Sequence, residues 1–506
     1  MFKNALVSVS DKTGLVEFLK PYVVRGMRVV STGGTLKHLR ENGINAVDIS
    51  EQTGFPEVMD GRVKTLHPRV HMAILSRAGN DEDSALLKKE ALEPFDLIVV
   101  NLYPFESACT KNLPDHELIE FIDIGGPSLL RAAAKNHDRL AVVCEPEDYN
   151  WIAGKNELTL VDRRRLAARV FSLTSRYDDL IAKTLAAESD RPVTLVGRLV
   201  SELRYGENPH QKAWWYRSPE ARGGLHDAEV LHGKPLSYNN ILDLEAANST
   251  VRDFREPAAV AVKHNNPCGV GTDATIAGAV TRAIQADPVS VFGGIIACNR
   301  PVDLAAAEEM AKIFLECIVA PAFEPAALER LKKKKDLRLL QLKQLKQDTA
   351  NGELQFRSVS GGFLVQSADR TEDWSDSWRI VGQHPSPEIK ADLLLAWKVC
   401  AYLKSNAIAL AAGGRTVGLG MGQVNRVDAV EQAIARMQKH HPSLSSSPCL
   451  ASDAFFPFPD SVELAAQAGV RWIIQPGGSI RDEEVLARAG ELGINMILTG
   501  TRHFRH

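Results

Sequence analysis

The sequence has no C-x-x-C pair, although seven cysteines are spread over its 506 residues. An odd and scattered set of cysteines fits neither a disulfide framework nor a zinc site. We therefore expect reduced thiols, a cytoplasmic location and no transition metal. Cys268 stands close to a Lys-His pair, but no neighbouring feature marks its thiol as an activated nucleophile.

An excess of charge of one sign is also lacking, because 60 Lys and Arg residues face 63 Asp and Glu residues, for a net charge of −3. A general nucleic-acid-binding protein needs a basic face that neutralises phosphates. We expect no nucleic-acid partner and predict that basic residues act locally, at sites for small anionic molecules. With 44% hydrophobic and 24% charged residues, the composition is that of a soluble globular protein of two or three domains.

Long apolar runs are missing as well. No stretch offers 18 uninterrupted apolar residues, so we expect no membrane span and no membrane partner. The first residues, MFKNALVSVSDKTG, become polar too soon for a signal peptide. The pattern G-x-x-x-x-G-K-[ST] is absent, which argues against a P-loop ATPase.

Short apolar runs alternate with helical patterns over the first 145 residues, an order typical of a parallel sheet covered by helices on both faces. The predicted strands are 4–9, 27–31, 95–101 and 139–144, and the predicted helices are 13–25, 35–43 and 127–137. Residues 146–190 are predicted to be mainly helical, and the segment 189–192 predicts a domain boundary at 190–200.

A second mixed α/β region is predicted from about residue 200 onward, with a break in the polar stretch 366–388. The Leu- and Lys-rich segment 326–346 predicts a helix, with Lys332–Lys335 on its solvated face. The fold class is therefore α/β, with a parallel-sheet domain first.

Two turns in the first region are suited to an anion. One follows the first predicted strand as S-V-S-D-K (8–12), and the other follows the second as S-T-G-G-T (31–35). Gly33 and Gly34 allow backbone amides to approach a ligand, and Thr35 opens a helix whose free N–H groups attract negative charge. By itself, S-T-G-G-T is equally typical of a helix cap without a ligand.

The stretch DGRVKTLHPRVH (60–71) places Arg62, Lys64 and His67 within six residues and is too polar for a core strand. A loop that closes over a phosphorylated ligand would use these groups, with arginine as the planar partner of its oxygens. The alternative is an exposed basic loop without a ligand.

Further polar groups follow the third predicted strand. Asn101 is its last residue and Tyr103 comes after it, and D-I-G-G-P (123–127) precedes a helix that ends at Lys135. Proline at the first helical position with glycines before it is typical of a helix start. Tyr103, Asp123 and Lys135 together supply acid, base and charge partners for a dehydration or ring closure.

The stretch AAVAVKHNNPCGVG (258–271) is an apolar strand that ends in Lys263 and His264, and we expect a turn at Pro267–Gly269. Histidine can accept a proton near neutral pH, and a neighbouring lysine can stabilise negative charge that develops during a reaction. Loops that a rigid sheet positions often contain catalytic groups. The alternative is a strand end with two solvated polar side chains.

Several motifs occur in a fixed order along the chain. They are SVSDKTGL, STGGT, GRVKTLHP, NLYPF, IDIGG and RAAAKNH, then RYGENPHQ (204–211), LSYNNILDLEAA (236–247), VKHNNPCG, VFGGIIA (291–297), KSNAIALA (404–411), SDAFFPFPDSVE (452–463) and TRHFRH (501–506). This ordered set resembles the AICAR formyltransferase/IMP cyclohydrolase family over essentially the whole sequence.

The resemblance implies a methylglyoxal-synthase-like parallel-sheet domain at 1–196. Two cytidine-deaminase-like α/β subdomains would follow at 197–365 and 366–506, without the zinc of that fold. It implies formyl transfer from 10-formyltetrahydrofolate to AICAR in the second part, and closure of the product to IMP with loss of water in the first. It also implies a homodimer with formyltransferase sites at the interface, and it leaves room for a monovalent cation.

For formyl transfer, the resemblance implies that His264 accepts the amine proton and that Lys263 stabilises the oxyanion. The binding positions that it implies for this step are Arg204, Tyr205, Asn208, His210, Asn240, Phe292, Gly293, Glu316, Asn406, Arg426, Phe455, Asp460, Arg502, Phe504 and His506.

For ring closure, the resemblance assigns Tyr103, Asp123 and Lys135 to the reacting groups, and it leaves open whether Tyr103 or Lys135 gives the final proton. The ribonucleotide-binding positions that it implies are Ser10, Lys12, Ser31, Thr32, Gly34, Thr35, Arg62, Lys64, Thr65, His67, Asn101, Gly125 and Gly126.

Two other functions fit single features of the sequence. The segment G-V-G-T-D-A (269–274) matches part of a dinucleotide-binding fingerprint of oxidoreductases, but N-N-P-C separates it from the strand. A non-catalytic nucleotide-sensing scaffold would bind the same ligands without turnover. Absence of NAD binding excludes the first function, and an assay with AICAR and formyl-folate decides the second.

Overall fold

The structure, a computed structural model, describes residues 2–111, 113–155, 157–190, 192–218, 223–343 and 354–506. The chain divides into two compact units between Val196 and Gly197. Arg191 in the predicted boundary segment lies outside the described residues, as does the end of the predicted helix 326–346. Among the described helices, none is both long enough and apolar enough to span a bilayer.

The first unit is built on five strands surrounded by helices. The strands are β1 (Asn4–Ser8), β2 (Arg28–Ser31), β3 (Val47–Asp48), β4 (Leu97–Val100) and β5 (Ala141–Val143). The helices are α1 (Leu15–Val23), α2 (Gly33–Glu41), α3 (Ile49–Thr53), α4 (Pro68–Leu75), α5 (Asp81–Lys89), α6 (Phe105–Cys109), α7 (Asp115–Leu118), α8 (Gly125–Lys135), α9 (Asp148–Ala153) and α10 (Leu160–Leu185).

The strands of the first unit pair in parallel in the order β3-β2-β1-β4-β5. Every residue of β4 and β5 is buried, as expected for a parallel sheet with helices on both faces. The predicted strands and helices of this region are confirmed to within two residues at each end. β3 was not predicted, because two residues are too few to show a periodic pattern.

The second unit contains sixteen strands and eight helices among its described residues. The strands are β6 (Arg198–Leu203), β7 (Ala213–Arg217), β8 (Glu229–His232), β9 (Ala258–Lys263), β10 (Asn266–Thr272), β11 (Ile295–Cys298), β12 (Cys317–Ala320), β13 (Arg338–Gln341), β14 (Leu354–Val359), β15 (Gly362–Ser367), β16 (Arg379–Val381), β17 (Ile408–Ala411), β18 (Thr416–Gly420), β19 (Cys449–Ser452), β20 (Trp472–Gln475) and β21 (Asn495–Leu498). The helices are α11 (Tyr238–Val251), α12 (Ile276–Ala286), α13 (Leu304–Ala311), α14 (Pro325–Lys332), α15 (Pro387–Tyr402), α16 (Arg426–His440), α17 (Asp460–Gln467) and α18 (Asp482–Glu491).

Two six-stranded sheets of the second unit have the same topology. Their orders are β10-β9-β11-β12-β13-β8 and β18-β17-β19-β20-β21-β16, and corresponding neighbours run parallel or antiparallel alike. In each, an edge strand is followed by a helix, a hairpin and three helix–strand pairs. The second unit is therefore a structural duplication.

Side chains of each sheet alternate between two cores, as the period of a strand requires. In β9, Ala258, Val260 and Val262 face a central core that includes α11 and α15, whereas Ala259 and Ala261 face an outer core with α12, α13 and α14. β17 alternates in the same way between the central core and an outer core with α16, α17 and α18. α11 and α15 thus lie between the two sheets.

Two local predictions for this unit are wrong. The predicted helix over 326–346 is α14 followed by β13, because Leu339 and Leu340 are buried as members of the first six-stranded sheet. The predicted turn at Pro267–Gly269 belongs to β10. Proline is tolerated there because β10 is an edge strand and its register shifts between Pro267 and Gly269.

The glycines of the G-V-G-T-D-A segment serve packing. A Cβ atom on Gly269 or Gly271 would collide with the backbone of α12, at Ala283 and Ala279. Gly418 and Gly420 have the same relation to α16 in the second sheet. These glycines allow a helix to lie close on its strand, which removes the feature that suggested a dinucleotide-binding oxidoreductase.

Candidate active sites

A cavity of about 1070 Å³ lies where β1, β2 and β4 end. β1 and β4 are neighbours at the point where the strand order of the sheet reverses. Ligands of open parallel sheets bind in the crevice at this point, outside the carboxyl ends of the strands. The predicted residues that line the cavity are Ser10, Lys12, Thr32, Gly34, Thr35, Arg62, Lys64, Thr65, Asn101, Tyr103, Asp123, Gly125 and Gly126.

Two polar side chains fix the loop that follows β1. Asn101 accepts the backbone N–H of Asp11 at 3.1 Å and donates to the Asp11 carbonyl at 2.8 Å. The Thr35 hydroxyl accepts the backbone N–H of Val9 at 3.0 Å and donates to the Val9 carbonyl at 2.9 Å. Asn101 and Thr35 therefore shape the wall of the cavity through the backbone.

Two cations of the basic loop stand at the cavity beside acidic neighbours. Arg62 forms an ion pair with Glu120, and Lys64 Nζ lies 3.6 Å from the Glu57 carboxylate. Lys64 Nζ also adjoins the start of α2, since a Cβ atom on Gly33 would lie 3.1 Å from it. An exposed ion pair contributes only about 0–1 kcal/mol, so an anionic ligand can replace the carboxylates at little cost.

Asp123 is the carboxyl group of this site whose environment is most suited to proton transfer. It is half-buried just before α8 and accepts the backbone N–H of Gly126 at 2.8 Å. Burial raises the pKa of the Asp123 carboxyl, while the backbone N–H groups of Gly126 and Tyr103 and the charge of Lys64 oppose the rise. A carboxyl with a raised pKa can exchange a proton closer to neutral pH.

Tyr177 of α10 supports Asp123, and the sequence had not singled it out. Its hydroxyl accepts the backbone N–H of Asp123 at 2.8 Å and donates to the Phe121 carbonyl at 3.0 Å. A tyrosine inside a long helix is ordinarily a packing residue, so no pattern in the sequence indicated this contact.

Ser31 and His67 do not line the main cavity. Ser31 is fully buried and donates to the Val7 carbonyl at 2.7 Å. The His67 ring accepts the backbone N–H of Arg69 at 3.2 Å as the N-cap of α4, and it borders a small adjacent pocket that Lys64 shares. Their roles as ligand contacts stay predictions.

Lys135 lies away from the cavity. It is exposed at the last position of α8, whose first residue, Gly125, lines the cavity. The last residue of α8 that lines the cavity is Leu129, and a rise of about 1.5 Å per residue places Lys135 roughly 9 Å further along the helix. The structure therefore brings Tyr103 and Asp123 together without Lys135, whose catalytic role stays a prediction.

In the second unit, Lys263 and His264 stand at the tip of the hairpin β9–β10. Lys263 pairs with Asn266 across the hairpin, so His264 and Asn265 form its two-residue turn. Their φ angles are 54° and 61°, a left-handed region that a type I′ turn requires and that few residues other than glycine adopt. The His264 side chain is exposed, as proton transfer to or from a substrate requires.

Asp243 of α11 holds this turn, and it was not among the predicted site residues. Its carboxylate accepts the backbone N–H of Asn265 at 2.6 Å and that of His264 at 3.3 Å. Burial raises the pKa of the Asp243 carboxyl, opposed by these two hydrogen bonds and by the charge of His264. Its motif, LSYNNILDLEAA, marked the segment without marking this residue.

The Lys263 ammonium is fixed by the loop before β11. Its Nζ donates to the Phe292 carbonyl at 2.8 Å, and a Cβ atom on Gly293 would lie 3.9 Å from it. The structure thus places Phe292 and Gly293 beside Lys263. Glu316 precedes β12, and its backbone N–H donates to the Gly294 carbonyl at 2.9 Å. Its carboxylate is bound by Arg338 at 2.8 Å.

The hairpin tip also contacts the second half of this unit. Asn266 donates to the His264 carbonyl at 3.0 Å and accepts the backbone N–H of Lys404 at 3.2 Å. Asn406, two residues further on, accepts a hydrogen bond from Arg426 at 2.7 Å. The predicted residue Asn406 therefore lies in the segment that touches the hairpin.

Arg426 is a buried residue with a buried partner. Its guanidinium forms an ion pair with Asp453, and the two residues are 7% and 0% exposed. A buried charge of this kind needs its partner to remain paired. The predicted role of Arg426 as a substrate contact stays a prediction.

The last residues form an extended tail whose side chains alternate in direction. His503 is 1% exposed and its Nδ1 lies 2.7 Å from Asp369, while the Arg505 backbone exchanges hydrogen bonds with Ser405 at 2.8 and 3.0 Å. The predicted residues of the tail are on the other side and are exposed: Arg502, Phe504 and His506. The Arg502 guanidinium lies 4.4 Å from the centre of the Phe504 ring.

The remaining predicted residues are spread over three places. The loop between β6 and β7 contains Arg204, Tyr205, Asn208 and His210. Asn239 of α11 holds this loop by a hydrogen bond of 3.3 Å to the Glu207 carbonyl. Asn240 is buried in the capping box of α11 with Ser237, a structural role. Phe455 is half-buried after β19, and Asp460 is exposed at the start of α17.

Cys268 has the properties of a packing residue, as the sequence had suggested. Its Sγ donates to the Ala261 carbonyl at 3.5 Å, and burial raises the pKa of its thiol to about 12. In the described part of the chain, no three His, Cys, Asp or Glu side chains are grouped so as to hold a metal ion.

Two family models and the curated relatives identify the same kind of bifunctional protein. Residues 14–128 match the family model of the MGS-like domain, and residues 133–436 match the model described as AICARFT/IMPCHase bienzyme. The bifunctional purine biosynthesis proteins PurH of Bacillus mycoides (strain KBAB4) and Bacillus cereus (strain AH820) are each 50% identical over 519 residues, which covers 100% of both chains. A solved structure titled crystal structure of ForH is 29% identical and covers 36% of this chain and 95% of its own, with a TM-score of 0.32.

Proposed function

We propose that this chain, which belongs to the AICARFT/IMPCHase bienzyme family, catalyses two consecutive steps of purine biosynthesis. The second unit transfers a formyl group from 10-formyltetrahydrofolate to the 5-amino group of AICAR. The first unit closes formyl-AICAR to IMP with release of water. The single observation that carries this proposal is 50% identity to the PurH proteins over the full length of both chains.

In formyl transfer, the amine nitrogen of AICAR bonds to the formyl carbon and loses a proton. The bond from that carbon to the folate nitrogen breaks, and the folate nitrogen takes up a proton. His264 accepts the amine proton, for which its exposed position at a hairpin tip is suited. Lys263 stabilises the oxyanion, since its ammonium has three donors and, among the described residues, one of them binds the Phe292 carbonyl. The aromatic ring of Phe292 and the segment around Asn406 would border the nucleotide and the folate.

In ring closure, the carboxamide nitrogen attacks the formyl carbon and water leaves. Lys64 and Arg62 are suited to bind the ribonucleotide phosphate, and Asp123 is suited to exchange a proton with the reacting amide. Between the two candidates for the final proton donor, we favour Tyr103. Tyr103 lines the cavity, whereas Lys135 stands at the far end of α8.

The assembly that we propose is a homodimer in the cytoplasm, with the formyltransferase sites at the interface. Its support is the exposed hairpin β14–β15, in which all twelve residues are exposed and which includes Phe356, Phe363 and Leu364. Side chains of this kind are typical of a surface that a partner covers. Binding of a monovalent cation stays a prediction.

A His264→Ala variant tests the assignment of formyl transfer. We expect formyl transfer to fall by ~100-fold or more, because a positioned base contributes about 10²–10⁴-fold. Ring closure of supplied formyl-AICAR should continue at the wild-type rate, because its site lies in the other unit. Both rates are measured on the same folded sample, and equal loss of both activities would contradict the assignment of two separate sites.

A further inference from the structure

The two six-stranded sheets of the second unit each have a carboxylate at the tip of their long hairpin. In the first sheet, Asp243 accepts the backbone N–H groups of His264 and Asn265. In the second sheet, Asp392 accepts the backbone N–H groups of Gly413 and Gly414, both at 2.8 Å. Each aspartate is the sixth residue of its helix, α11 or α15. The arrangement is therefore a duplicated feature of the fold.

The two turns differ in the residues that adopt the left-handed conformation. Gly413 and Gly414 have φ angles of 62° and 74°, which glycine adopts without steric penalty. His264 and Asn265 have φ angles of 54° and 61°, where their Cβ atoms crowd the backbone. The same turn is thus intrinsically favoured in the second sheet and strained in the first.

Backbone strain of this kind persists only where surrounding contacts impose it, and it is concentrated at functional sites. In the first hairpin the imposing contacts are the two hydrogen bonds to Asp243, together with the bond from Asn266 to the His264 carbonyl. The second hairpin has no catalytic side chain to present, since Gly413 takes the place of His264. We therefore expect removal of the Asp243 carboxylate to affect catalysis more than removal of the Asp392 carboxylate.

We propose that Asp243 is a positioning residue for formyl transfer. Its carboxylate keeps the backbone of His264 in the left-handed conformation that holds the imidazole at the hairpin tip beside Lys263. Asp243 does not touch the reacting atoms and acts through the orientation of His264. This inference rests on the proposed function, because it gives His264 the role of the base.

The test compares Asp243→Asn with the matched control Asp392→Asn in the full chain. The two N–H groups of each turn bind different carboxylate oxygens. An amide has one acceptor oxygen, so each substitution leaves one of the two N–H groups without its acceptor. We expect Asp243→Asn to lower kcat of formyl transfer by ~10- to 100-fold, the effect of a small misplacement of a catalytic group. KM for AICAR and for formyl-folate should change by less than about threefold, since substrate binding is untouched. Asp392→Asn should leave kcat of formyl transfer unchanged.

Thermal melting and ring closure are measured on the same samples, so that loss of folded protein is separated from loss of catalysis. A second variant, Asn265→Val, opposes the left-handed conformation with a branched side chain while Asp243 remains, and it too should lower kcat. If Asp243→Asn does not fold, kcat of formyl transfer in Asn265→Val decides whether the left-handed turn matters, and an unchanged kcat would contradict the inference.

Three outcomes would overturn the inference. One is an equal fall of kcat in Asp243→Asn and Asp392→Asn, which would indicate a general structural role. Another is an unchanged kcat in Asp243→Asn while His264→Ala is inactive, which leaves the proposed function intact. The third is full formyl transfer in His264→Ala, which overturns the proposed role of His264 and this inference with it.

Discussion

At the scale of single residues, Asp123 shows how burial and hydrogen bonding compete at one carboxyl group. Burial disfavours its charge and raises its pKa, whereas the backbone N–H groups around it favour the charge. A charge held in an unfavourable environment lowers the stability of the folded state wherever the group is ionised. Such a cost is typical of a residue retained for its chemistry.

An Asp123→Asn variant is therefore expected to lose ring closure and to melt at a higher temperature at neutral pH. The folded pKa is raised above the ordinary value of 3.8, so the wild-type penalty exists above the raised pKa and disappears below 3.8. The advantage of the variant in melting temperature should shrink as pH falls through that interval. For a unit of this size, a change of about 1 kcal/mol in the free energy of unfolding shifts the melting temperature by roughly 2–4 °C.

The measurements are ring closure of supplied formyl-AICAR and melting curves from about pH 3 to about pH 8, a span that includes the ordinary pKa of 3.8. Formyl transfer is the internal control, because its residues lie in the other unit. Wild-type ring closure in Asp123→Asn would remove Asp123 from the catalytic groups.

At the scale of elements, successive side chains of the extended C-terminal tail point to opposite sides, so that one side holds the tail in place and the other is exposed. His503 anchors the tail, since it is buried against Trp397 and bonded to Asp369. Phe504 and His506 face the other side and are exposed. Neighbouring residues of one short segment should therefore respond differently to substitution.

We expect His503→Ala and His506→Ala both to lower formyl transfer, but only His503→Ala to lower the melting temperature. Removal of the buried His503 ring leaves a gap beside Trp397, and a substitution that creates a cavity typically costs about 0.5–3 kcal/mol. His506 is exposed, and its loss removes a predicted substrate contact alone. Formyl-transfer rates and melting curves decide this, and a lower melting temperature in His506→Ala would contradict the division of roles.

At the scale of the whole molecule, the duplicated second unit presents an exposed apolar hairpin, β14–β15, between its two halves in sequence. A monomer that exposes such a surface would tend to associate. In the proposed homodimer, disruption of this surface should affect formyl transfer, whose sites we place at the interface, and spare ring closure.

The double variant Phe356→Glu, Phe363→Glu tests this arrangement, because the two rings lie on the same face of the hairpin with their centres 6.0 Å apart. We expect the wild-type protein to sediment at about twice the chain mass of 55.4 kDa, and the variant at the chain mass. Two buried carboxylates cannot be accommodated in an apolar contact without large loss of affinity. Formyl transfer should fall with dissociation while ring closure continues, and an active wild-type monomer would contradict the proposal.

Local patterns explain why so much of the first unit was predictable. β1, β2, β4 and β5 are short apolar runs between helical segments, and the turns that follow β1 and β2 contain the cavity residues that the sequence indicated. Both signals depend on residues close together in the chain. The position of Lys263 and His264 at a strand end was predictable for the same reason, although their turn was placed three residues too late.

The sequence by itself determined the α/β class, the anion-suited turns and the strand that ends in the Lys-His pair, because each depends on neighbours along the chain. Only the tertiary structure decided that α10 supplies Tyr177 to Asp123, that α11 supplies Asp243 to His264, and that Lys135 lies away from the cavity. These relations join residues that are far apart in sequence, and packing of helices on sheets, rather than any local pattern, brings them together or separates them.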